Sequence, residues 1–189
     1  MLSPWFSVVL VVLGYRVASC YDLAMINNST AAPILDQETA VFIQHHVSIN
    51  MAAANTDNRA AVTRVYGCRI APDRRVVTLF IPSAYNKVVL ENIRVTGTIA
   101  VVFSRPGTHQ TIQLKGTDAR ITAVEETDLP IIKNYCDSLV EELLNLGYPP
   151  AFVQTFVLPQ QKADTAIHFT PLTAFSQTPG PQAGRKMPV

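Results

Sequence analysis

Thr111, Gln113 and Lys115 are the side chains of this 189-residue sequence whose types and spacing first suggest chemistry. They alternate with Ile112 and Leu114, so an extended chain turns all three to one face and the apolar pair to the other. A row of hydroxyl, amide and ammonium groups is either solvated or lines a polar site. His109, just ahead of it, could move a proton near neutral pH, although a lone loop histidine is more often solvated. The four histidines, His45, His46, His109 and His168, include no pair four residues apart. Cys20, Cys68 and Cys136 are far apart, with no Cys-x-x-Cys. Neither a metal site nor a disulfide framework can be read from them. No serine stands in Gly-x-Ser-x-Gly, and no Gly-x-Gly-x-x-Gly follows a strand pattern. That argues against an α/β-hydrolase nucleophile and a doubly wound dinucleotide fold.

The polar row belongs to the stretch Gly97–Ile121. Thr98–Ser104 is a short apolar run rich in β-branched residues, the pattern of a strand buried on both faces. Arg105-Pro106-Gly107 marks a turn, and Thr108–Arg120 resumes with alternation, giving a β-hairpin. Around this centre the sequence predicts a short helix capped by Asp36 with Val41 and Phe42 inward, a strand over Val47–Ala54, and a longer strand over Ala60–Ile70 with Gly67 inside it. Arg75–Ile81 is a further strand, and Ala84–Arg94 a helix stopped by Gly97. Asp128–Gly147 carries apolar residues at three- and four-residue spacing and is the clearest helix. A shorter helical piece, Ala151–Val157, and a last strand, Thr165–Phe169, follow. The tail from Phe175 is rich in Pro and Gly and is expected to be poorly ordered unless it docks. Short hairpin-linked strands with helices between them indicate an α+β protein, mainly β with flanking helices: an antiparallel barrel or sheet.

Length is that of one domain. A hydrophobic content of 48% and a charged content of 15% suit a sizeable core, and a net charge of +1 offers no electrostatic case for nucleic acid. Scattered cysteines of odd count suit a reducing compartment. The N-terminus departs from this. Pro4–Tyr15 is an apolar run of signal-peptide length, too short to span a bilayer comfortably, and no Lys or Arg precedes it. Val17–Cys20 resembles a lipoprotein cleavage box. Two expectations follow: a cytoplasmic protein that starts at Met25, or an exported lipoprotein anchored through Cys20. The organisation expected is an N-terminal extension over 1–34, a domain over 35–180 and a flexible tail over 181–189.

Arg64–Arg69 (RVYGCR), Val76–Ile81, Asn86-Lys87, the run AVVFSRPGTHQTIQLKG and the tail FTPLTAFSQTPGP together resemble the pyridoxamine 5′-phosphate oxidase-like family. Those proteins are FMN-binding split β-barrels, and the resemblance covers roughly residues 35–180. It implies an antiparallel split β-barrel, a homodimer and a flavin. The cofactor-binding positions that it implies are Arg64 and Arg69 at the two ends of one strand, the backbone of Val65, Tyr66 and Gly67, the pair Phe80-Ile81, Lys87, and Thr111 with Gln110 beside it. Several differ from the family pattern. Arg69 stands for a lysine, Ile81 lacks a hydroxyl, and Asn86 replaces an arginine. Arg64, Arg69 and Lys87 would still hold a phosphate by charge-assisted hydrogen bonds. In an unbroken strand Arg64 and Arg69 face opposite sides, so a shared pocket needs a bulge at Gly67. The last strand offers His168 and no arginine, which disfavours pyridoxamine phosphate oxidase activity itself. No catalytic acid or base is assigned. The resemblance thus implies an FMN-dependent oxidoreductase acting on a small-molecule substrate of unassigned identity. The alternatives are a non-enzymatic barrel holding flavin, haem or another planar ligand, and a deazaflavin protein.

Overall fold

The computed structural model describes residues 35–157 and 163–188. The extension over 1–34, with Met25 and Cys20, lies outside the described residues. In chain order the elements are α1 (Gln37–Phe42), β1 (Ser48–Ala54), β2 (Ala60–Val65), β3 (Cys68–Ile70), β4 (Val77–Ile81), α2 (Lys87–Thr96), β5 (Ile99–Ser104), β6 (Thr111–Gly116), β7 (Arg120–Ala123), α3 (Leu129–Asn145), α4 (Pro150–Val157), β8 (Thr165–Phe169), β9 (Thr173–Ser176) and β10 (Lys186–Met187). Short 3₁₀ turns over Ser83–Tyr85 and Glu126–Asp128 lead into α2 and α3.

The strands form two antiparallel sheets, one ordered β10-β9-β6-β5-β1-β2 and the other β3-β4-β8-β7. Ile49, Met51, Val101, Phe103, Ile112 and Leu114 on the first meet Val77, Leu79, Ile81 and Ile167 on the second in one hydrophobic core. Burial of that face is what drives the two sheets together. With helices on the flanks, this is the split-barrel arrangement that the strand pattern and the resemblance led us to expect.

The run from Ala60 to Ile70 is not one strand. Gly67 has φ +152°, a conformation L-residues avoid, and a Cβ there would come within 3.0 Å of Phe80 Cδ2 and 3.4 Å of Ile132 Cα. The chain therefore leaves the first sheet as β2 and enters the second as β3. Tyr66 N–H donates to Phe80 O at 2.8 Å and Phe80 N–H to Gly67 O at 3.2 Å, stitching the passage. The expected strand over Thr108–Arg120 also divides. β6 stays beside β5, the turn after Gly116 follows, and β7 joins the other sheet beside β8.

Two further corrections concern the ends. Val41 is exposed, whereas Thr39, Ala40 and Phe42 are buried, because a helix this short turns only one narrow stripe inward. The C-terminal segment is built into the fold: β9 pairs with β6 and β10 with β9. Its strands are too short for alternation to show, which is why composition alone suggested disorder. Among the described residues no helix is long and apolar enough to cross a membrane, and no group of three His, Cys, Asp or Glu could hold a metal ion.

Candidate functional site

The face of the six-stranded sheet turned away from the core carries a continuous polar strip. Register places Arg64 opposite Asn50, Asn50 opposite Val102, and Val102 opposite Gln113. The neighbouring row runs Ser48, Ser104, Thr111. Side chains link the rows. Arg64 Nη2 donates to Ser48 Oγ at 3.2 Å, and the Ser104 and Thr111 hydroxyls are 2.9 Å apart. Gln177 Nε2 donates to Gln113 Oε1 at 3.3 Å. Thr111 and Gln113 are buried, at 5% and 3% exposure, so the row that the alternation revealed is not a solvated one. Lys115, half-buried, lies over the Phe175 ring at 5.1 Å, and burial lowers its pKa.

Arg64 sits where this strip meets the helices. Its guanidinium carbon is 3.8 Å from the Phe156 ring centroid on α4, a cation–π geometry that fixes the plane of the fork. It lies near the Tyr66 and Tyr135 hydroxyls and the Cys136 thiol. Burial pushes Tyr66 up to about 12, with Arg64 opposing, and burial likewise raises Tyr135 and Cys136 against the pull of Arg64. Both phenols are therefore neutral near pH 7. The geometry assembles a guanidinium, hydroxyls and carboxamides on one face, a donor set suited to an anionic tail and a heteroaromatic edge.

The other positions expected from the resemblance do not converge here. Arg69 lies beyond the bend on β3, where its Nε is 3.0 Å from Asp128 Oδ1; that carboxylate is 2% exposed. Lys87 is exposed at the first residue of α2, beside Asn86, whose Nδ2 donates to Pro82 O at 2.6 Å. Val65 and Ile81 are in the core. Phe80 is fully buried, and its backbone groups are taken by Tyr66 and Gly67. Gly67 lets Phe80 and α3 approach. His109 has φ +58° in the β5–β6 turn and is exposed. So Arg64 and Thr111 share the strip with Gln113 of the alternating row, and the residues not foreseen beside them are Ser48, Asn50 and Gln177. The same period of two that exposed Thr111 contains Gln113. Ser48 and Asn50 follow from Ser-Ile-Asn-Met read with that period, but a run ending in three alanines shows it weakly.

No family model matches the chain, and no curated protein matches it. Solved structures do. HupZ of Group A Streptococcus is 14% identical, covers 80% of this chain and 100% of its own, and gives a TM-score of 0.46. A structure described as F420 reductase is 11% identical, with 74% and 98% covered and a TM-score of 0.47. A general stress protein 26-related protein of the pyridoxinephosphate oxidase family from Clostridium acetobutylicum is 10% identical, with 75% and 85% covered and a TM-score of 0.42. The structures to which this chain is similar thus include proteins described by the family that its sequence resembles.

Proposed function

We propose that the chain binds FMN on the outer strip of the six-stranded sheet and serves as a flavin-dependent oxidoreductase. The observation that carries this reading is the placement of Arg64. Its planar fork is pre-set by Ser48 and Phe156 beside a row of buried hydrogen-bonding side chains. Arg64 would hold the phosphate bidentately. Asn50 and Gln113 offer both donors and acceptors, the pattern that the carbonyl and N–H edge of a flavin needs, and Ser104 and Thr111 extend it. The chemistry supplied by bound FMN is reversible two-electron transfer. The residues here orient the ring and keep its surroundings dry. Arg69 is matched by Asp128 and Lys87 is exposed, so neither takes a main part in the phosphate grip.

The test is spectroscopic. The purified protein should take up FMN with quenching of flavin fluorescence and should be bleached by NADH or NADPH. Flavin binding without bleaching leaves the non-enzymatic form of the reading. A Soret band in place of a flavin spectrum assigns the strip to haem. Protein that takes up no added FMN overturns the flavin assignment.

A further inference from the structure

The outer face of the four-stranded sheet holds a second constellation, independent of the flavin strip. His168 Nε2 lies 2.8 Å from Thr122 Oγ1, and its Nδ1 lies 3.0 Å from Thr78 Oγ1. Register explains the contact. Thr78 stands opposite His168 on β4, and Arg120 stands opposite it on β7, two residues before Thr122. Thr122 is exposed and Thr78 is buried. An accessible hydroxyl bonded to an imidazole that a third group orients is the arrangement of an activated nucleophile. Burial lowers the pKa of His168, and Arg69 adds to this, so the ring is neutral near pH 7 and can accept a proton.

Two further groups favour charge development at this point. β7 is an edge strand. Val124 N–H donates to Asp164 O at 3.1 Å, in the same register that pairs Arg120 with His168. The two-residue alternation of an antiparallel ladder then turns the amides of Ile121 and Ala123 toward the sheet edge. The amide that follows Thr122 is thus an oxyanion donor, and Arg120, on the same face as Thr122, supplies positive charge.

We propose that Thr122 is an acyl-acceptor nucleophile for small activated esters, with His168 as its general base. Thr122 Oγ1 lies 3.2 Å from Ala123 O as well as 2.8 Å from Nε2; in the reactive form Nδ1–H donates to Thr78 Oγ1, and the Thr122 hydroxyl turns from Ala123 O to the Nε2 lone pair. Thr122 Oγ1 attacks the ester carbonyl carbon while Nε2 takes its proton. The tetrahedral adduct collapses, the bond to the leaving oxygen breaks, and the proton passes from His168 to that oxygen. The products are an ester on Thr122 and a free alcohol or phenol, with no change in oxidation state.

The full chain treated with p-nitrophenyl acetate and mapped by mass spectrometry tests this. Thr122 should acquire a hydroxylamine-labile acetyl group at least about a hundredfold faster than exposed Thr108, Thr117 and Thr127, the usual range for a positioned base. Thr122→Ser should retain the labelling, Thr122→Ala should abolish it, and His168→Gln should slow it about a hundredfold. In the parent, the rate should rise as pH climbs through a value below that of an ordinary imidazole. Burial lowers this value most and Arg69 on β3 lowers it further, while Asp128 and Glu125 ahead of α3 raise it; Arg120 on β7 stands opposite the ring. Labelling of Thr122 at the rate of the other threonines, or equal in folded His168→Gln, overturns the proposal. If His168→Gln does not fold, a flat pH profile in the parent does so.

Discussion

Arg64 and Arg69 stand on either side of Gly67, and the bend there sends them to different sheets. Ser48, Phe156, Tyr66 and Tyr135 surround Arg64. Arg69 is held against the buried Asp128 at the entrance to α3. The same side chain thus meets two settings. Under our proposal the Arg64 guanidinium, against Ser48 and the Phe156 ring, takes the flavin phosphate. The Arg69 guanidinium is engaged by the buried Asp128 where α3 begins. The rows around them differ in the same sense: Arg64, Asn50, Val102, Gln113 in one sheet, and Arg69, Thr78, His168, Arg120 in the other.

The largest effect that separates them should come from Asp128→Ala. It leaves Arg69 without its carboxylate and removes the acceptor of the Glu125 N–H. Losing one member of a buried pair costs about 3–5 kcal/mol, and the half-exposed Arg69 puts this case near the lower end, about 3 kcal/mol in urea unfolding. FMN affinity should not change. A variant that unfolds like the parent would show that the pair does not dock α3.

Next in size is Arg64→Ala. FMN binding should weaken by about 1.5–3 kcal/mol, the worth of a charged hydrogen bond, whereas riboflavin, lacking the phosphate, should scarcely respond. Fluorescence titration with both ligands measures the difference. Equal losses for the two flavins would mean that Arg64 shapes the strip without gripping a phosphate.

A smaller effect concerns His168. Its pKa is lowered in the folded chain, burial being the main cause. The unfolded chain thus binds the proton more readily, and stability present above the unfolded value of 6.5 is lost as pH falls through the folded value. Denaturation midpoints taken from pH 7 down to pH 5 should fall more steeply for the parent than for His168→Gln. Parallel curves would remove His168 from the account.

Smallest of all, Arg69→Ala and Lys87→Ala should each alter FMN affinity by less than about 0.5 kcal/mol, as for surface positions away from a site. A loss at Lys87 as large as that at Arg64 would restore the three-cation grip implied by the resemblance.

What could be read beforehand followed from local periodicity. Ile99–Ser104 shows as a doubly buried strand because its apolar run is unbroken, and Leu129–Asn145 as a helix because Tyr135, Leu139 and Leu143 repeat every four residues. Thr111 and Gln113 were visible as one face for the same reason. The passage at Gly67 and the departure of β7 from β6 were not, since pairing is decided by partners far along the chain. Arg69 looked like a phosphate ligand because its salt bridge lies with Asp128, some sixty positions on, and nothing near Arg69 announces it. Arg64 could be singled out through the resemblance, but its neighbours Ser48 and Phe156 come from β1 and α4, contacts that only the tertiary fold supplies.

The stitch at Tyr66, Gly67 and Phe80 bears on how the molecule opens. Both bonds tie the passage just beyond β2 to β4, where the side chains of Tyr66 and Phe80 are buried. Amide hydrogens at Tyr66 and Phe80 should thus exchange with solvent only through global unfolding, while those of the short β10 exchange through local fraying. The two sheets share one core, so they should open together, and Asp128→Ala should speed exchange at Tyr66 and Phe80 alike.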